Sequence, residues 1–544
     1  MKMRLPHPAA FLVGLLVVAQ AASGASVKKK EEAVASIEKH KAELIGLSDQ
    51  VWGFAETALV ETRSADALAA YAEKHGFTVE RGVAGLPTAF VAHYGEGRPI
   101  IGVLGEYDAL PGLSQKAQPV KEALQPGAPG HGCGHNLLGT AAFGAALAVK
   151  DLLAAGKLKG TIRFYGTPAE EAVGGKVYMA RAGLFNDLDV CLTWHPGDKT
   201  EVSIDGSQAI VDFIVEFYGR TAHAAADPWN GRSAVAALEA FTTGLNRMRE
   251  FVKPTVRMHY TVMNGGDVPN VVPAYAKLWC WLRDSKGRGV EQLLARARRI
   301  AEGAALIAEV ESRLTVQAGD WETLVNLTGE KVMHANLAWL GPIPFTPEEQ
   351  EFAKAIQRAT GVDPKGLDGT VQPWRAPKPD PEGGSTDVGD VSWIVPTLSL
   401  GATTAPVDAP WHAWPVVACG GMSDRSQGPC LRGQGPGGDH GGLVRGRQDS
   451  PSGSGRIQGE NEGDRLQAVH PRGTAAPAEA ERTLAGPLRF VAASVVVEAD
   501  ELDRLALAVK LHLEAKIDDP LNEERILGQG QKRPGFLTKI CGRG

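Results

Sequence analysis

The chain reads as an α/β protein, a central-sheet domain interrupted by a smaller inserted α+β domain. Three observations predict this. From residue 34 to about 198, apolar strand-like runs alternate with helical periodicity. From about Thr200 the pattern changes to half-buried strands between amphipathic helices. Near 320 the first pattern resumes, so the second is inserted within it. The expected boundaries are 32–198 and 319–423 for the sheet domain and 199–318 for the insert.

In chain order, 34–48 and 63–75 carry helical spacing, and Ala89–Tyr94 and Pro99–Leu104 read as strands. The glycine-rich loop Gly130-His131-Gly132-Cys133-Gly134-His135-Asn136 precedes a helix over 137–155. Strand Thr161–Gly166 runs into Pro168-Ala169-Glu170-Glu171, where a helix is expected to begin, and strand Val190–Trp194 delivers His195. In the insert, Val211–Phe217 alternates with period two. Helix 231–250, strands near 255–263 and 273–283, and helix 289–310 then complete a β-α-β-β-α unit. Val395–Leu400 is the last strand of the sheet domain.

At 544 residues and a net charge of −6, the chain can hold two or three domains and lacks the basic footprint of a nucleic-acid binder. Lys2 and Arg4 precede the apolar run Phe11–Ala19 and the small-residue stretch Ala21–Ala25, the layout of a secretory signal over 1–25. The apolar run is too short for a comfortable membrane span. The expectation is an exported bacterial protein, periplasmic or secreted, without stable membrane insertion. Six cysteines do not make a disulfide framework in so long a chain. Cys191 and Cys280 lie in apolar strands and are expected to be buried and inert, whereas Cys133 is wanted as a ligand. In an oxidising compartment its thiolate would need bound metal for protection.

Cys133 and His135, Glu170-Glu171, and His195 are each expected where a strand runs out, the place where open α/β sheets collect ligands. Thiolate, imidazole and carboxylate converging there is the donor set of a dinuclear transition-metal site. Taken singly, buried Cys and His also serve as core residues, and paired glutamates also favour a helix N-terminus.

With these residues in view, the chain resembles the M20 metallopeptidases, most closely their aminoacylase-like amidohydrolase branch. The resemblance covers roughly 34–423. It rests on Gly105-Glu106-Tyr107-Asp108-Ala109-Leu110-Pro111, the His131–Thr140 loop, Glu170-Glu171 and Trp194-His195-Pro196. Gly219–Ala225, Pro269-Asn270-Val271-Val272-Pro273 and Ser385-Thr386-Asp387-Val388-Gly389-Asp390 add to it. It implies a catalytic domain of zinc-peptidase type with a ferredoxin-like lid and dimerisation insert. The implied ligands of two divalent ions, Mn or Zn, are Cys133, His135, Glu171, His195 and His412. Asp108 would orient a ligand, and Glu170 would act as general base. His223 would stabilise the oxyanion in a neighbouring subunit, and Asn270 and Arg283 would hold the substrate carboxylate. A homodimer, or a heterodimer with a paralogous subunit, follows from a residue acting in trans. His412 as a loop histidine packed between tryptophans, and Arg283 as a surface charge, remain open readings.

The implied activity is hydrolysis of an N-acyl or N-aroyl amino acid such as aminobenzoyl-glutamate. Indole-acyl or other N-acyl amino acids are the alternative substrates, and a non-catalytic exported protein that binds metal or amido acids is the rival class. A true protease is disfavoured, because a carboxylate clamp suits small substrates.

After Met422-Ser423, residues 424–477 are rich in Gly, Arg, Pro, Ser and Gln and lack apolar periodicity. They read either as a disordered tail or, better, as a slipped frame. Dropping one base from a back-translation permits an amphipathic helix through Asp439 and a family-like tail from Arg465. On this reading 424–544 is frameshifted and the catalytic domain lacks its closing helix. Resequencing the DNA around the Ser423 codon is expected to reveal the shift; an uninterrupted frame, with peptides recovered from 430–470, would overturn it.

Overall fold

The computed structural model describes residues 8–381 and 383–422, with side chains from residue 27 onward. Residues 424–544 and the frameshift reading lie outside the described residues. In chain order come α1 (Pro8–Phe54), α2 (Thr62–Lys74), β1 (Thr78–Arg81), β2 (Phe90–Glu96) and β3 (Ile100–Gly105). A long loop leads to α3 (His135–Ala154), β4 (Gly160–Gly166), α4 (Gly175–Arg181), β5 (Val190–Gly197) and β6 (Glu201–Val202). The insert holds β7 (Ala209–Tyr218), α5 (Ala234–Met248), β8 (Arg257–Asn264), β9 (Tyr275–Asp284), α6 (Gly287–Ala308) and β10 (Glu311–Asp320). The chain returns through α7 (Leu327–Leu340), α8 (Pro347–Thr360), α9 (Val388–Ser392), β11 (Thr397–Thr403) and α10 (Trp414–Gly420).

The larger sheet runs β1-β2-β4-β3-β5-β11-β6. Its centre, β4-β3-β5-β11, is parallel, and β2 and β6 join antiparallel on either side. Parallel strands are covered on both faces, which is why these read as nearly unbroken apolar runs. On one face α3 lies against α1 and the strands, and every residue from His135 to Val149 is buried. By composition α3 could cross a membrane, but 78% of its apolar window is buried inside the protein, so its apolarity is a requirement of the core. Opposite, Met179, Phe185, Val391 and Val395 pack on Leu104 and Tyr165.

One close approach positions the site. A Cβ built on Gly139 of α3 would stand 2.5 Å from the carbonyl oxygen of Glu106, just past β3. Only glycine lets helix and strand end meet there, and the contact brings His135 beside Asp108.

The insert is a separate antiparallel sheet, β10-β7-β9-β8, with α5 and α6 on one face and Phe213, Phe217, Phe241, Leu278 and Leu294 in its core. It is β-α-β-β-α-β, one strand more than the sequence suggests. β10 escapes a pattern reading because it opens on the polar Glu311-Ser312-Arg313 and its buried residues, Val316, Ala318 and Gly319, are confined to its second half. Three local expectations need correction. Cys133 and His135 follow no strand end; Cys133 lies in the turn that enters α3 and His135 is the helix's first residue. The helix after Glu170-Glu171 starts later, at Gly175, because the glutamates occupy a turn. His195 sits within β5, not beyond it. Cys191 and Cys280 are buried, in β5 and β9.

Candidate metal centre

Asp108 anchors the floor of the site. Its Oδ1 lies 2.9 Å from Nδ1 of His135, and its Oδ2 accepts the backbone N–H of Glu171 at 2.9 Å. One buried carboxylate therefore sets both an imidazole and the backbone of the glutamate turn. With Nδ1–H given to Asp108, Nε2 of His135 is left as a lone-pair donor. His195 is set the same way, its Nδ1 donating to the carbonyl of Pro196 at 2.7 Å. Its Nε2 lies 3.3 Å from Sγ of Cys133. His412 Nε2 lies 3.5 Å from Oε1 of Glu171.

These atoms form overlapping sets. Cys133, His135 and His195 each offer a ligand atom within 4.8 Å of the others, and so do Cys133, Glu171 and His412. Cys133 belongs to both, as a ligand between two ions would. Glu106, His135 and Glu170 form a third set deeper in the cup. Nε2 of His135, Oε1 of Glu171 and Oε2 of Glu106 are buried and make no hydrogen bond. An unsatisfied buried polar atom costs ~1–3 kcal/mol, and three of them around one space, all of ligand type, fit a pair of divalent cations.

The electrostatics agree. Burial pushes the Glu170 carboxyl far above its usual range, and the charges of Glu106, Glu171 and Asp387 push it further. Burial likewise raises the Cys133 thiol. Glu106, Asp108, Glu170 and Asp387 all interact with the buried ammonium of Lys176. Lys176 Nζ sits 2.6 Å from Glu106 Oε1 and 2.6 Å from Asp387 Oδ1. Its backbone N–H donates to Asp387 Oδ2 at 2.9 Å. Burial opposes the charge on Lys176, but Asp387 and Glu106 outweigh it and keep the amine protonated.

The backbone is strained at two site positions. Ala169 (φ 62°) and His412 (φ 51°) hold left-handed conformations without being glycine. Ala169 is kept there by Glu61, whose Oε1 accepts its N–H at 2.9 Å, and by Gly174 N–H bonding its carbonyl at 3.0 Å. That turn is what directs Glu170 and Glu171 toward the cup.

The remaining candidates are placed differently. His412 is not packed between tryptophans; its side chain is 55% exposed beside Glu171, and Trp411 packs instead on His195. Arg283, at the end of β9, is half-buried and donates to Ser385 Oγ at 3.0 Å, so it reaches from insert to sheet domain. Burial lowers its pKa, against the pull of Asp320 and Glu170. His223 and Asn270 are exposed on adjoining loops of the insert, tied by Ala224 N–H to the Asn270 carbonyl at 3.0 Å. Nδ1 of His223 accepts the N–H groups of Ala225 and Ala226, and neither residue joins this chain's own ligand sets.

Sequence reasoning passed over Glu61, Glu106, Lys176 and Asp387. Glu106 and Asp387 stood inside family motifs without a role. Lys176, a lone cation before the apolar Val177-Tyr178-Met179, was a signal that went unread.

Among known proteins, the chain is 39% identical over 427 residues to a subunit of p-aminobenzoyl-glutamate hydrolase from Escherichia coli K12, covering 73% of this chain and 88% of that protein. The chain belongs to the M20 metallopeptidase family. Residues 206–309 match the M20 peptidase dimerisation domain, which is the inserted sheet. A mouse relative, Xaa-Arg dipeptidase, is 32% identical over 310 residues, 54% of this chain and 68% of that one. The M20 fold is shared with a crystallised protein of methicillin-resistant Staphylococcus aureus described as an aminohydrolase. That match has a TM-score of 0.54 at 16% identity and covers 72% of this chain and 97% of the other.

Lys176→Met leaves Glu106 and Asp387 as buried, unpaired charges. Chemical denaturation is expected to show a loss of about 3–5 kcal/mol, with reduced metal content on elemental analysis. Glu61 gives a pH signature. Burial, reinforced by the charge of Asp108, raises its pKa to about 7. The fold therefore favours its protonated form, and the resulting stability is complete below the unfolded pKa and lost as pH rises toward 7. Glu61→Gln should match the wild type near pH 4 and exceed it by up to about 3 kcal/mol at pH 8; parallel stability profiles would contradict the assignment.

Proposed function

We propose that this chain is a two-metal amidohydrolase that cleaves N-acyl or N-aroyl amino acids, aminobenzoyl-glutamate among them. The observation that carries the reading is Cys133 shared by two ligand sets, with Glu170 beside them. Two divalent ions held by Cys133, His135, Glu171, His195 and His412 would supply Lewis acidity and make water acidic enough to deprotonate near neutral pH. Zinc and manganese both suit the donor mixture.

Glu170 is the proton carrier. Burial and like charges make its carboxylate unusually basic, so it takes a proton from attacking water and passes it to the leaving amine. Asp108 and the Pro196 carbonyl hold His135 and His195 in ligand tautomers throughout. The dimerisation domain supports a dimer in which His223 of each chain serves the other's cup, where it would donate to the oxyanion. Export through residues 1–25 completes the proposal.

A cavity of about 940 Å³ beside Arg283 supports an acidic amino-acid product, since Arg257, His259 and Lys378 also line it against one carboxylate, Asp380. The same cavity speaks against an arginine leaving group, the product of the dipeptidase relative. A purely binding role would leave Glu170 beside the ligand sets without use.

Wild-type protein and Glu170→Gln should be assayed on aroyl-glutamate, aroyl-alanine and aroyl-arginine substrates. The wild type is expected to prefer the glutamate substrate, and the variant to lose about 10²–10⁴-fold in kcat with its metal content intact. Undiminished hydrolysis by the variant would discard the mechanism.

A further inference from the structure

A second group of metal-competent side chains converges away from the cup, where α1, α2 and α3 meet. His40 and Glu43 are three residues apart on α1 and share a face. His75 caps the C-terminus of α2. One ligand atom from each lies within 4.8 Å of the other two. The imidazole rings stand edge to face, centroids 5.0 Å apart at 88°. Nε2 of His75 is 3.2 Å from Oε2 of Glu43. Nε2 of His40 is 3.1 Å from Oδ2 of Asp151 on α3, an oxygen that also accepts from Ser36 Oγ at 2.8 Å.

Ion pairing explains part of this, since Lys74 Nζ lies 3.0 Å from Oε1 of Glu43. It uses only one carboxylate oxygen, however, and does not account for two imidazoles turned together around the other. A further observation lies at the same spot. Tyr71 packs on His75, ring centroids 4.4 Å apart, and turns its buried hydroxyl toward Glu43. A simple surface salt bridge, worth ~0–1 kcal/mol, gives no reason for two imidazoles, a carboxylate and a phenol to converge at a junction of three helices.

We propose that His40, Glu43 and His75 form a peripheral site for a divalent transition-metal ion of the zinc type, with Asp151 orienting His40 from behind. Two imidazoles and a carboxylate are a donor set for such ions, with a fourth position left for water. A carboxylate paired to a ligand histidine is the usual way to fix its ring. The Glu43 side chain is 48% exposed, so the ion has an entry path. The ion would clamp α1 to α2. α1 also carries the Val51 carbonyl that receives Nε2–H of His131 at 3.0 Å, so the clamp braces the loop that presents Cys133.

The test uses the full chain, stripped of metal, reloaded with Zn²⁺ or Co²⁺ and freed of excess. Elemental analysis is expected to find one more ion per chain in the wild type than in Glu43→Gln or in His75→Gln. Equal content would overturn the site. Cobalt titration of the wild type alone gives a second readout that requires no variant to fold. Ions in the cup contact the Cys133 thiolate and produce a sulfur-to-cobalt charge-transfer band, whereas the peripheral ion adds only d–d absorption. Growth of the d–d bands after the charge-transfer band saturates supports the site; simultaneous saturation rejects it. Because the readout is a difference in bound metal, it stands or falls separately from amide hydrolysis.

Discussion

Lys176 lies fully buried between Glu106 and Asp387, and the geometry of the cup depends on that arrangement. A lone ammonium or carboxylate in the interior would be very costly, and only close mutual pairing makes the burial tolerable. The triad also joins three distant parts of the chain: the residue after β3, the start of α4 and the residue before α9. Glu106 then faces His135, and Asp108, two residues on, orients the same ring. Charge balance and ligand placement are thus one constraint.

The surrounding backbone is bent to serve it. Glu61 holds Ala169 in a left-handed conformation that costs ~1–2 kcal/mol, and the result is a turn that directs two successive glutamates to different tasks. Glu171 joins the ligand set shared with Cys133 and His412, while Glu170 stands in the deeper set with Glu106 and His135. A regular helix beginning at Glu170, as the pattern suggested, would have sent successive side chains about 100° apart around its axis. α4 begins at Gly175, which packs directly on the Pro168 carbonyl with no room for a Cβ.

The insert contributes from outside the cup. Its covered face is an ordinary apolar core under α5 and α6. Its open face carries Arg257, His259, Trp281 and Arg283 on neighbouring strands β8 and β9. The cations Arg257 and Arg283 are paired at the end nearest Ser385. His223 and Asn270 are exposed on adjoining loops of the insert.

Much of this was legible in the linear sequence. Apolar period placed the central strands and α3, because burial on both faces demands continuous apolar residues whatever the detailed topology. Cys133, His135, the Glu170-Glu171 pair and His195 stood out as candidates because metal chemistry restricts the side chains that can serve, whereas His412 was reached only through the family resemblance. β10 was not, since its burial depends on β7 beside it. Nor was the pairing of Lys176 with Glu106 and Asp387, 70 and 211 residues away. Local pattern reports what a residue must bury or bind, while the partner that neutralises a charge or holds a strained turn is fixed by packing. The kind of chemistry this protein carries is therefore written along the chain. How that chemistry is balanced emerges only on folding, because electrostatic compensation acts through space and leaves no period in the sequence.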